Sequence, residues 1–282
     1  MANKDTIVSL CVFFLLLVFV STVGYTLTLM HQTGSTPLMW SVAIAAIITC
    51  LIRKRSLSSL GFSFASWKYH WLSYLIPLSY IFVSYIIIWA FGLGGWFNIE
   101  YVSELQEKYA LHGFNSTEVI IFAFIFFAFY GFLNSFMACL GEEIGWRGFL
   151  TPELAKFMSF GWVAIISGVL WSVWHWPLIF MGVLGSKGAS LAYQLIFFTI
   201  LLVSMSVIMA YIRLKTGSML TAAVFHTSHN IFIQKVFTPL TIQYPSTGFY
   251  VDENGAVPAL VTFVFAIYFW RKGIYLPHTQ NT

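Results

Sequence analysis

Charge is what this chain has least of. Asp, Glu, Lys and Arg make up 9% of its 282 residues, against about 25% in a soluble domain. The only aspartates are Asp5 and Asp252, one near the N-terminus and one in a connection, which excludes an intramembrane aspartyl dyad. Cysteine is equally sparse. Cys11, Cys50 and Cys139 are odd in number and lie in apolar runs, so they imply neither a disulfide framework nor a metal knuckle. His-Glu-x-x-His and Gly-x-Ser-x-Gly are both missing, which removes the common zinc-protease and serine-nucleophile signatures. There is no internal repeat, low-complexity tract or separable soluble domain, and residues 1–282 read as one unit.

What is present is hydrocarbon. The chain is 59% hydrophobic and 19% aromatic, with a mean hydropathy of +0.82. Such a composition belongs to the membrane class. The formal charge of +4 is spread over many connections and does not point to a nucleic-acid partner. Spanning a bilayer takes about 20 apolar residues. Eight runs qualify or nearly do: 6–30, 37–52, 70–92, 118–141, 159–180, 190–212, 217–235 and 256–270. None alternates as a barrel strand would, and backbone groups in lipid must be satisfied internally, so an all-α polytopic membrane protein is expected. The first run follows Lys4 but continues to Met30 without a small-x-small cleavage site, and reads as a retained span.

The connections set the orientation. With the N-terminus in the cytosol, the inside holds Lys4, Arg53, Lys54, Arg55, Lys68, Arg147, Lys156, Arg213, Lys215, Arg271 and Lys272. The outside keeps Lys108, Lys187 and Lys235. That bias favours eight crossings with both termini cytosolic, in the cell or an endomembrane bilayer. Between the third and fourth runs, Ile99, Val102, Leu105 and Tyr109 recur at helical spacing. They predict a short amphipathic helix on the outer surface, ended by Gly113. Trp67 and Trp71 suit the cytosolic interface.

Against this background a few ionisable groups stand out. A charge at a helix centre costs roughly 2.5–3.5 kcal/mol, yet Glu142, Glu143 and Arg147 follow a run without charge. Glu143 and Arg147 are four apart and can pair on one helix face. Glu142 points about 100° away, and Gly145, three residues on, leaves room for another helix or a water. His175 lies among Trp171, Trp174 and Trp176, just before Pro177. His226 and Asn230 share a face one turn apart, with His229 close by. Of the other histidines, His31, His70, His112 and His278 fall in connections or at span edges. Three polar groups from the fourth, fifth and seventh spans therefore predict one shared cavity, taken to open to the cytosol. Its carboxylate and imidazoles can activate water directly, with His226 and Asn230 holding the oxyanion. They can also bind a divalent metal such as zinc. The sequence leaves both routes open.

Glu-Glu-x-x-x-Arg, aromatic-x-x-x-His and His-x-x-x-Asn on successive apolar helices resemble the intramembrane CPBP family. That family contains type II CAAX prenyl endopeptidases and Abi-type bacteriocin-processing proteins. The motif core covers about 118–235. The resemblance implies an endopeptidase in which Glu142 and His175 activate water, His226 and Asn230 stabilise the oxyanion, and Glu143 and Arg147 support them. The aromatic position is more often Phe in the family and is Trp171 here. Implied substrates are prenylated CAAX C-termini or membrane-associated peptides, in bacteriocin or signal-peptide maturation or self-immunity. The partners are then a lipidated protein or hydrophobic peptide and membrane lipid. Two rival readings use the same polar groups: a proton-coupled transporter, or a non-catalytic immunity or scaffold protein.

Overall fold

The computed structural model describes residues 4–31, 36–186 and 188–276. Lys187 and His278 of the charge and histidine patterns lie outside the described residues. Within them the chain is an all-α integral membrane protein. Each apolar run is a helix: α1 (Lys4–His31), α2 (Thr36–Ile52) and α3 (Trp67–Ala90). The amphipathic α4 (Ile99–Tyr109) comes next, then the long α5 (Ser116–Ala155). The chain continues with α6 (Phe160–Phe180), α7 (Leu191–Thr216), α8 (Leu220–Asn230, running on to Leu240) and α9 (Ala256–Gly273). Five of these, α1, α3, α5, α6 and α7, are long and apolar enough to cross a membrane by length and composition alone. α2 is apolar but has 17 residues, and α8 carries the polar motif.

Local chemistry sets the ends. Asn115 and Glu118 close a reciprocal capping box at the start of α5. Ser190 caps α7 by accepting from the Tyr193 amide, and Gly217 ends it in the left-handed conformation that favours glycine. α4 stops earlier than its sequence predicts, because Ala110 turns left-handed at φ +55°. Its Val102 and Leu105 pack with Leu111, Val119 and Ala123 at the start of α5, so this helix braces another helix as well as covering the surface.

The helices pack as neighbours in pairs: α1 along α2, α6 along α7, α7 along α9, and α8 against α3. α2 also runs against α5, where glycine decides the approach. A Cβ on Gly145 would lie 2.4 Å from Val42 Cγ1 and 2.7 Å from the Val42 carbonyl oxygen. The room predicted at Gly145 is thus filled by a helix. Gly145→Ala is expected to destabilise the protein by about 1–3 kcal/mol through overpacking, read as a lowered midpoint of thermal unfolding in detergent.

Two faces can be told apart. On the face carrying the described ends, Arg55 bridges Asp5 and Glu153, each at 2.7 Å, and Lys156 joins Glu153 at 2.6 Å. On the opposite face Gly95–Trp96 (β1) pairs antiparallel with Thr241–Ile242 (β2). The Asn98 amide there donates to the Leu240 carbonyl at 2.9 Å. That long-range strand pair was not predicted, being only two residues per strand.

Candidate active site

α5 and α8 share an irregularity where they carry polar motifs. The backbone widens into π-helical turns at Ile144–Leu150, directly after Glu142 and Glu143, and at Ile231–Phe237, directly after Asn230. Such turns appear mostly as single-turn bulges, often at functional sites. These two follow polar side chains, whereas a third, Phe127–Gly131 earlier in α5, follows apolar ones.

The Glu143 carboxylate accepts two bonds from Arg147 Nη1, both at 3.1 Å. Arg147 Nη2 donates to Ser206 Oγ at 2.7 Å, and the guanidinium lies 4.1 Å from the centre of the Trp171 ring. All three residues of this motif are buried, with exposures of 0–1%. Glu143 Oε1 also sits 3.0 Å from His226 Nδ1. A carboxylate can only accept, so that nitrogen carries a proton and the ring is fixed in orientation.

Glu142 turns the other way, as its position in the helix predicts. Its Oε2 accepts from Trp171 Nε1 at 2.6 Å. Its Oε1 lies 3.9 Å from His175 Nε2. His175 Nδ1 is 3.0 Å from the Trp171 carbonyl, and it must donate because a carbonyl accepts. Nε2 is thereby left with its lone pair, facing the carboxylate. Trp171 is the hub of the arrangement: its indole N–H holds Glu142, its face covers Arg147, and its ring centre is 5.2 Å from that of His226.

Of the six expected residues, Glu142, His175, His226 and Asn230 line one cavity of about 280 Å³. Glu143 and Arg147 do not line it and stand behind His226 and Trp171. Asn230 is half-buried, and its amide nitrogen makes a weak contact with Cys139 Sγ at 3.6 Å. His229, outside the sequence motif, also lines the cavity. Its Nδ1 is 2.6 Å from the Tyr80 hydroxyl and its Nε2 is 3.4 Å from Glu253 Oε1.

Sequence reasoning missed the cavity's far wall, Asp252, Glu253 and Asn254, in the connection between α8 and α9. Gln234 Nε2 donates to Glu253 Oε1 at 2.9 Å. Burial works against the Glu253 charge, but the bonds from His229 and Gln234 prevail and hold its carboxyl below the usual range. Burial and the Glu253 charge push Asp252 upward. Asp252 also has a left-handed backbone, φ +63°, uncommon for a residue with a side chain.

These wall residues decide where the cavity leads. It reaches Val183, Leu184 and Gly185 after α6 and Asp252–Asn254 before α9, all at the end opposite the termini. With cytosolic termini, that end of the cavity would face the other side of the membrane. In a Cys11→Ser background, a cysteine at Val183, half exposed at 52%, is expected to react with an impermeant thiol reagent from the face away from the termini. Reaction from the terminal face alone would contradict this placement.

The family model described as Type II CAAX prenyl endopeptidase Rce1-like matches residues 123–232, the stretch holding all six expected residues. That match covers about two fifths of the chain. CAAX prenyl protease 2 of Methanococcus maripaludis is 34% identical over 99 residues, 34% of this chain and 36% of that protein. The alignment thus spans about a third of that relative. The matched stretch takes in α6, α7 and the polar parts of α5 and α8; Asp252–Asn254 lie beyond it.

Proposed function

We infer that the chain is an intramembrane endopeptidase that hydrolyses peptide bonds in membrane-associated peptides, with prenylated CAAX C-termini as one candidate class. The observation that carries this is the opposed pair in the cavity: Glu142 Oε1 and His175 Nε2, 3.9 Å apart, each held from behind by Trp171. A water beside them gives a proton to Glu142 and attacks the scissile carbonyl. The carbonyl oxygen takes the charge, and the C–N bond breaks as the amine receives the proton. His226 Nδ1–H is committed to Glu143, so donation to the oxyanion comes from Nε2–H of the doubly protonated ring. The Glu143 carboxylate balances that charge. Asn230 offers a second donor from the next turn.

Among the described residues no three His, Cys, Asp or Glu side chains converge so as to hold a metal ion, and the steps above use none. The test is purified protein in proteoliposomes with an internally quenched peptide. Cleavage is expected, at a rate a chelator does not change. No cleavage of any peptide, or Glu142-dependent solute uptake in the same vesicles, would overturn the reading. Loss on chelation would restore the metal route.

A further inference from the structure

The far wall of the cavity has no part in the water-activating pair, yet it is built with care. Its side chains converge from three elements: Glu253 and Asn254 from the connection, His229 and Gln234 from α8, and Tyr80 from α3. Among the described residues, the lining contains three carboxylates, those of Glu142, Asp252 and Glu253, and no Lys or Arg. Asn254 is 3% exposed, lines the cavity, and has no partner for its side-chain amide nitrogen. A buried donor without an acceptor costs free energy, and in a binding site it marks where a ligand supplies one.

We propose that Asp252, Glu253 and Asn254 form a substrate subsite for a cationic residue, a Lys or Arg side chain of the bound peptide. This rests on the endopeptidase reading and names its specificity. Glu253 takes the cation, with Asp252 beside it. The Asn254 amide donates to a backbone carbonyl of the same peptide segment. His229 and Gln234 are positioning residues: Gln234 donates to Glu253 Oε1, His229 Nε2 lies 3.4 Å from the same oxygen, and together they hold the carboxylate against the cavity. Tyr80 fixes His229 from the other side. A peptide lying past His175 then places its basic residue a short way along from the bond being cut. An acidic residue, or a free carboxylate brought to the same place, meets like charge and is disfavoured.

The test uses the full chain in zwitterionic vesicles with quenched peptides that differ only in Lys, norleucine or Glu, moved through each position beside the cleaved bond. At one position Lys is expected to raise kcat/KM about tenfold over norleucine, as befits one charged hydrogen bond. The gain is in KM, Glu lowers it, and salt shrinks the preference. Glu253→Gln brings the Lys to norleucine ratio close to one. Glu107→Gln, an exposed carboxylate on α4 outside the cavity, leaves the ratio as it was. If Glu253→Gln does not fold, Asp252→Asn and the salt dependence of the unaltered protein carry the test. Cleavage of Lys and norleucine peptides at equal rates everywhere overturns the subsite alone. So does a preference that survives both variants. No cleavage of any peptide overturns the endopeptidase reading beneath it.

Discussion

Replacing Glu142 by glutamine is expected to lower kcat for peptide hydrolysis by about 10²–10⁴-fold, the usual contribution of a general base, while the protein still folds. The change removes the proton acceptor and little else. Glutamine keeps the shape of the side chain and an oxygen, so Trp171 Nε1, now 2.6 Å from Glu142 Oε2, retains an acceptor. An unfolding midpoint close to that of the unaltered protein, measured beside the rate, separates lost chemistry from lost structure. His175→Gln is the companion variant: it removes the imidazole whose Nε2 faces the carboxylate. Full activity in Glu142→Gln would end the proposal, because no other carboxylate of the motif lines the cavity.

The largest effect on stability is expected at the Glu143–Arg147 pair. Arg147→Met leaves Glu143 buried and ionised without its bidentate partner, and breaking a buried pair from one side costs about 3–5 kcal/mol. Such a loss is a large fraction of the stability of an ordinary domain. The double change Glu143→Leu with Arg147→Met removes both charges, and most of the lost stability is expected to return, as seen when buried pairs are replaced by apolar residues of similar size. Hydrolysis should not return with it. His226 Nδ1, 3.0 Å from Glu143 Oε1, would have no acceptor, and nothing would balance a charged ring at the oxyanion. Midpoints of unfolding and initial rates on all three proteins complete the comparison. A double variant that is stable and fully active would reduce the pair to a structural brace.

Some of this arrangement can be read from the sequence, for physical reasons particular to each part. The eight helices are legible because a bilayer demands about 20 apolar residues at a time, and little else in a chain produces such runs. The Glu143–Arg147 pair follows from four-residue spacing, and the divergence of Glu142 from the helical repeat. The π-helical turns are not legible: Gly145 and Gly148 read only as small residues, and the turn after Asn230 contains no glycine at all. Nor is the partner of the Trp171 N–H, since an aromatic among apolar residues carries no sign of its hydrogen bond. Asp252–Asn254 are the hardest case. A connection between spans has no periodicity to fix where it folds, and only contacts such as Gln234 with Glu253 bring it back over the cavity.

That last connection has a consequence for how the molecule is made. A growing chain has emerged through Asn230, and so holds all six motif residues, well before it reaches residue 252. Until the later segment arrives, the chamber lacks one side and His229 has no carboxylate to face. Maturation is thus timed by the order of synthesis: the blade is forged first, and the guard that aims it is fitted afterwards.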